Sequence, residues 1–393
     1  MAEPLFLSYS WDDMSEVDEL DTMLRLRGVP VWRDRRAMRW GEYNEDLVRQ
    51  VIEHDASGFA LYLTKKALES HFVTDIELGA MDARRSRDQF FFSGAVFREY
   101  GVTAGKEVVH AKTGIDIGAT LGSHVKRRDL RGDLRAAANA ILREYLHAQW
   151  SEGPMTVRLE TRNQLPVEDP ALVHLSFAPP LSHDPDEYDI AVWDEQVLPA
   201  LDDLQQGLHT VEAAKPSRER VIEIGGASHL SAALAVGYAF REPTRWAVRI
   251  RHFGELWETG RERGDLDGWE VVQRAGSGAS GDLVVMIHVA ADVTNAVRAS
   301  RGGIARAELH IRPPGGAGRQ SLDPAKANAA AAGIAKAIRE ARNVYSAKET
   351  HLYMASPWPF AAILGWHLSS AGPLVMHEAA IGRDSYSVSC VLR

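Results

Sequence analysis

Short apolar runs alternate with stretches of helical apolar spacing along the whole chain, which predicts an α/β architecture rather than an all-helical or all-β one. In the N-terminal part Leu5–Leu7, VPVW, GFALYL and FFFSGAVF read as strands. Ser15 to Arg27 carries Val17, Leu20, Leu24 and Leu26 at helical spacing, and Gly28 stops it. Residues 33–43, RDRRAMRWGEY, read as a charged surface loop before Asn44 caps a helix through Ile52. Phe72, Val73, Ile76, Ala80 and Ala83 form another helical stripe, and a further helix spans Leu130 to Leu146. Residues 100–129 are rich in Gly and small side chains and are expected to be loops with a short strand. SEGPMT is a Gly/Pro break that predicts a linker between a domain at 1–149 and another at 155–393.

From Thr156 the alternation restarts, and here the chain echoes itself. In VIEIGGASHLSAALAVGYAF, residues 221–240, an alternating strand meets a glycine turn and an apolar helix for which Ser228 is the expected N-cap. Ala227-Ser228, Ala233 and Gly237 return as Ala355-Ser356, Ala361 and Gly365, each 128 residues later. Flanking strands agree as well, RVIEI with THLYM and WAVRI with LVMHE. Two strand–loop–helix–strand units predict two pseudo-equivalent Rossmann-like halves, roughly 155–281 and 282–393. Open backbone N–H groups at such helix starts attract anions. The glycine run from Gly276 to Gly281 satisfies a dinucleotide fingerprint, but a strand rather than a helix follows it, so it reads as a turn.

Composition narrows the function. A net charge of −9 argues against general binding of DNA, where a basic surface supplies the affinity. One cysteine, Cys390, excludes a disulfide framework, no apolar run reaches membrane-spanning length, and the N-terminus lacks a secretory signature, so a cytoplasmic protein is expected. No HExxH, P-loop or nucleophile-elbow pattern appears and the histidines show no ligand spacing, so neither metal nor cofactor is expected.

Glu77 borders the apolar stripe of its helix, with Val73, Thr74, Ala80 and Met81 at its helical neighbour positions and no local cation. Spacing alone favours a surface glutamate at the edge of an amphipathic face; a functional carboxylate is the alternative. FLSYSWDD, the VPVW-RDRRAMRWG turn, FALYLT and the helix containing HFV and Glu77-Leu78, in that order over residues 5–80, resemble the TIR domain. That resemblance implies a flavodoxin-like parallel sheet and cleavage of the nicotinamide–ribose bond of NAD+, the substrate, with Glu77 as the catalytic carboxylate and Asp75 as the fallback. It also implies a cleft shaped by Ser8, Tyr9, Ser10, Arg33, Asp34 and Arg39, completed against a neighbouring TIR domain. Nicotinamide is a cationic leaving group, so one carboxylate supporting an oxocarbenium-like ribosyl centre suffices.

ASHLSAALAVGYAF and MASPWPFAAILGWHL followed by GPLVMHE resemble the SAVED domain, two fused CARF-like halves that sense cyclic oligonucleotides. The resemblance covers roughly residues 155–393. It implies a ligand such as cyclic tri-adenylate, made by a partner nucleotidyltransferase, contacted from Ser228, His229, Arg249, Arg251, His252, Lys348, Ser356 and Trp358. On the residues alone each has an ordinary role: serine as cap, Trp358 as core, arginines as solvated strand-end charge. The two resemblances together imply a CBASS-type anti-phage effector, a cyclic-oligonucleotide-activated NAD+ glycohydrolase that self-associates head to tail into filaments. A non-enzymatic TIR scaffold gated by a nucleotide is the alternative. Ring size, base, linkage and the final product stay open at this stage.

Overall fold

The protein's structure is a computed structural model, which describes residues 3–33, 45–123, 129–161, 171–177, 190–215, 217–261, 264, 266–276, 278, 281–301, 305–318, 322–379 and 385–393. It divides into two compact units: Met1–Gly153 with Pro170–Leu175 and Asp203–Glu219, and Pro154–Asp169 with Ser176–Asp202 and Arg220–Arg393. Residues 203–219 therefore group with the N-terminal unit, where Asp203 is ion-paired with Arg27 and accepts two 2.9 Å hydrogen bonds from Arg135.

The first unit is built on β1 (Leu5–Ser8), β2 (Val31–Trp32), β3 (Gly58–Leu63), β4 (Phe92–Phe97) and β5 (Ala119–Ser123). They form an all-parallel sheet in the order β2-β1-β3-β4-β5. This is the flavodoxin-like order, which places a crevice at the carboxyl ends of β1 and β3, where the winding reverses. Every residue of β3 is buried, as expected of a central parallel strand covered on both faces. Phe6 on β1 stacks with Trp32 at 4.8 Å and Phe59 at 5.6 Å, and Val48, Ile52, Ile76, Leu78 and Met81 from the flanking helical segments join this core.

The stretch expected to be mainly loops contains a helix, Val102–Thr113, ending at Gly114 in the left-handed conformation. Gly105 inside it lets the helix approach β4: a Cβ there would sit 2.4 Å from the Phe97 ring. The residue that weakens helical propensity is thus needed for packing. The expected linker is also corrected, since its last four residues begin β6 (Gly153–Glu160). Asn44, proposed as a helix cap, lies outside the described residues; the helix begins at Glu45.

After β7 (Val173–Ser176), the second unit contains β8 (Arg218–Ala227), β9 (Ala247–His252) and β10 (Glu255–Glu258), which with β6 run in the order β10-β9-β8-β6. β8 and β9 are parallel, while β9 and β10 form a hairpin. A further sheet comprises β11 (Glu270–Ala275), β12 (Asp282–His288), β13 (Ala307–Arg312), β14 (Glu349–Ala355), β15 (Leu374–Ala379) and β16 (Tyr386–Leu392), in the order β11-β13-β12-β14-β15-β16. Its central strands are parallel and its two edges antiparallel. β11 precedes residue 282 yet belongs to this later sheet.

The two echoed helices, Leu230–Ala239 and Trp358–His367, pack on each other and are buried almost all round. Gly237 and Gly365 make the crossing possible. A Cβ on Gly237 would lie 1.9 Å from the Ala362 carbonyl oxygen, and one on Gly365 would lie 2.2 Å from that of Leu234. The 128-residue echo is therefore the imprint of a helix–helix contact made reciprocally by both halves.

Candidate functional site

In the first unit, Ser8 ends β1 and so stands at the carboxyl edge of the sheet. Its hydroxyl donates a 2.5 Å hydrogen bond to Glu77 Oε2, and Glu77 is only 5% exposed. Glu77 closes a π-helical turn, Phe72–Glu77, in which the Leu78 N–H reaches back to the Val73 carbonyl. Such turns re-aim a side chain by inserting a residue into a helix, and they recur at functional sites. Here the result is that Glu77 points inward while Asp75, the fallback, faces solvent beside His71 with its side chain 57% exposed.

Tyr9 is buried and lies under the Arg33 guanidinium, 5.5 Å from ring centre to Cζ. Arg33 is also buried and ion-paired with Asp18 and, at 3.5 Å, with Asp21. Its charge is thus engaged by the helix that follows β1. Ser10 caps the short Trp11–Asp13 turn through its carbonyl, which accepts from Asp13 N at 2.9 Å. Asp34 and Arg39 lie outside the described residues.

One cluster at this edge was not read from the sequence. Arg98, directly after β4, holds Glu16 in a two-pronged ion pair of 2.6 and 2.9 Å, and the Tyr62 hydroxyl donates to the same carboxylate. Alongside, Thr64 Oγ1 donates to Asp13 at 2.6 Å, and burial pushes the Asp13 carboxyl above the usual carboxylate range. The available signal was an arginine immediately following an apolar strand.

In the second unit, Ser228 is buried but does not cap: its hydroxyl donates to the His229 carbonyl, and His229 occupies the N-cap position without a side-chain cap bond. The His229 amide donates to Thr161 Oγ1 at 2.7 Å, with the ring Nδ1 3.0 Å from the same oxygen. The helix start is not an open anion site either. Buried Glu378 on β15 accepts from the Ser231 amide at 2.9 Å and the Ser231 hydroxyl at 2.8 Å, so the protein's own carboxylate meets the positive end of the helix.

The structure brings His252 and Trp358 together, their rings edge to face at 5.6 Å. The buried Trp358 Nε1 has no hydrogen-bond partner among the described residues, which costs free energy unless an acceptor arrives. Burial lowers the His252 pKa, disfavouring the charged form of the ring. Next to it Phe253 forms the tip of the β9–β10 hairpin with Gly254, both at positive φ, and is 93% exposed. A phenylalanine in the left-handed region is strained, and its ring gains no burial in return. That aromatic tip escaped the sequence reading because it looks like a hairpin residue of no special type.

Other expected contacts are dispersed. Arg249 pairs with Glu258 at 2.8 Å, and Arg251 with Glu223 at 2.8 Å. Ser356 contacts Met354 Sδ at 3.4 Å and is half-buried. Lys348 precedes β14 whereas Ser356 and Trp358 follow it, so at roughly 3.3 Å per strand residue the whole strand separates them.

With this geometry in view, the comparisons with known proteins bear on the C-terminal part. Residues 204–392 match the family model described as "SMODS-associated and fused to various effectors sensor domain", SAVED. Among solved structures, the chain is similar to the Acinetobacter baumannii Cap4 SAVED/CARF-domain containing receptor with the cyclic trinucleotide 2'3'3'-cAAA, at TM-score 0.51 and 13% identity over 98% of this chain and 79% of that one. The same receptor with 3'3'3'-cAAA matches at TM-score 0.51 and 13% identity, over 98% of this chain and 80% of that one. The likeness establishes a shared α/β fold. No curated protein sequence matches. Among the described residues, no helix is long and apolar enough to cross a membrane.

Proposed function

We propose that the chain is a cyclic-oligonucleotide-gated NAD+ glycohydrolase, with a TIR-type catalytic unit and a SAVED sensor, acting in CBASS-type anti-phage defence. The observation that carries the catalytic half is the buried Ser8–Glu77 pair at the reversal point of a β2-β1-β3-β4-β5 sheet. Glu77 would face C1′ of the nicotinamide riboside. The C1′–N bond breaks with its electron pair passing to the pyridinium ring, so neutral nicotinamide leaves without a general acid. The carboxylate supports the cationic ribosyl centre until water adds and releases a proton, giving ADP-ribose. The Ser8 hydroxyl orients the carboxylate for this role.

The sensor half is supported by the SAVED match and by the likeness to receptor structures with the cyclic trinucleotides 2'3'3'-cAAA and 3'3'3'-cAAA. His252, Phe253 and Trp358 offer aromatic surface on which unpaired bases stack, with the Trp358 N–H as a donor. In this reading ligand binding drives head-to-tail assembly, and a heterologous contact of that kind extends into filaments.

The test is NAD+ consumption by the full chain with and without 2'3'3'- and 3'3'3'-cyclic tri-adenylate. Turnover is expected only with ligand, and Glu77→Gln at saturating ligand is expected to lower it by at least about 100-fold, the scale of losing transition-state charge stabilisation. Undiminished turnover in Glu77→Gln would overturn the catalytic assignment. Assembly of the wild type without any NAD+ loss would favour the non-enzymatic scaffold.

A further inference from the structure

A side-chain cluster in the second unit has no part in that reading. Asp282 on β12 is the direct register partner of Glu349 on the neighbouring parallel strand β14, and Val284 is the partner of His351, so Asp282, Glu349 and His351 share one face of the sheet. Their ligand atoms all lie within 4.8 Å of one another. His351 Nδ1 is 3.0 Å from Nε2 of His377, an imidazole buried on β15 and stacked on Tyr353 at 4.0 Å. This contact fixes the His351 ring and aims its other nitrogen, Nε2, at the two carboxylates.

The neighbouring histidine pair supplies a contrast. There the Val293 amide donates to His288 Nδ1 at 3.1 Å, His288 Nε2 meets His310 Nδ1 at 3.3 Å, and His310 Nε2 meets Glu308 at 3.2 Å. Every ring nitrogen of that pair has a partner within hydrogen-bond reach. His351 Nε2 instead stands 3.8 Å from Asp282 Oδ2 and 3.9 Å from Glu349 Oε2. Those gaps are too long for a hydrogen bond. They are a few tenths of an ångström wider than the roughly 3.3–3.6 Å between neighbouring ligand atoms of a tetrahedral cation with bonds of about 2.0–2.2 Å, a difference that small side-chain rotations close.

We propose that Asp282, Glu349 and His351 form a binding site for a divalent transition-metal cation such as Zn2+, with His377 as the outer partner that sets the His351 ring. One imidazole and two carboxylates, completed by water, suit zinc and its first-row neighbours better than calcium. An outer hydrogen-bonding partner on the distal ring nitrogen is the usual companion of a metal-bound histidine. Arg301 now donates to Asp282 Oδ2 at 2.8 Å, so the guanidinium competes with the cation for that oxygen. Spacing along the chain conceals the site, because Asp282 lies far in sequence from Glu349 and His351 and only the sheet register joins them.

The experiment is calorimetric titration of zinc chloride into untagged, chelator-stripped full-length protein. The wild type is expected to show a site that Glu349→Gln and His351→Ala each weaken at least tenfold. Arg301→Gln is expected to tighten it severalfold, a gain that damage to the fold would not produce. Glu349 is half-exposed, so its variant keeps the test decisive if His351→Ala does not fold. Absence of zinc binding in the wild type, or wild-type affinity and stoichiometry in Glu349→Gln, would overturn the proposal.

Discussion

Glu378 does at the helix start Leu230–Ser231 what a bound anion was expected to do. Its carboxylate satisfies the Ser231 amide and hydroxyl in a buried setting. Replacing it with glutamine keeps the shape but removes the charge and turns one accepting oxygen into a donor facing donors. Hydrogen bonds to charged groups contribute about 1.5–3 kcal/mol, so Glu378→Gln is expected to destabilise by that order. A fall in the urea midpoint at unchanged slope would register it. No reading of the sequence could have paired these residues, because Glu378 lies 147 positions from Ser231 and a solitary strand-end glutamate carries no signature. Glu77 was legible only through the resemblance: spacing alone favoured a surface glutamate, which its 5% exposure corrects, and its bond to Ser8 emerges only from the fold.

Among the elements, the echoed helices show how a pattern can be visible and its meaning hidden. The alanines, serines and glycines at a constant offset announced two related halves, but nothing in them said that the repeated glycines face each other. Gly365→Ala would drive a methyl group into the Leu234 carbonyl, which backbone cannot vacate as a side chain can. We expect a loss of about 1–3 kcal/mol or more, the usual cost of overpacking, measured by chemical denaturation, whereas Gly79→Ala, with open space at its Cβ position, should be stabilising or neutral. The helix Val102–Thr113 was illegible for a related reason: Gly105 answers to close packing against Phe97 of β4 and Val109 to the buried core, and both residue types blur local propensity. Strands were easier, since buried parallel strands are continuous apolar runs bounded by polar residues.

For the whole molecule, acid stability follows from imidazoles folded in their neutral form. Burial lowers His288 to about 4, and burial with the nearby Arg339 charge lowers His367 to about 4. In the unfolded chain both titrate near 6.5. Between those values the unfolded state holds more protons, so this contribution is complete above about pH 6.5 and is lost as pH falls toward 4. The thermal midpoint should therefore decline already between pH 6.5 and 5, above the range where most carboxylates protonate. A midpoint flat across that interval would show that these histidines are not buried neutral.

The crossing at Gly237 and Gly365 also constrains motion. Where two helices touch backbone to backbone, no side chain lies between them to repack and absorb a displacement. A displacement at the Trp358 end is therefore expected to move both helices together. On that expectation the contact is a pivot, and the two halves that share it would respond as the arms of one lever.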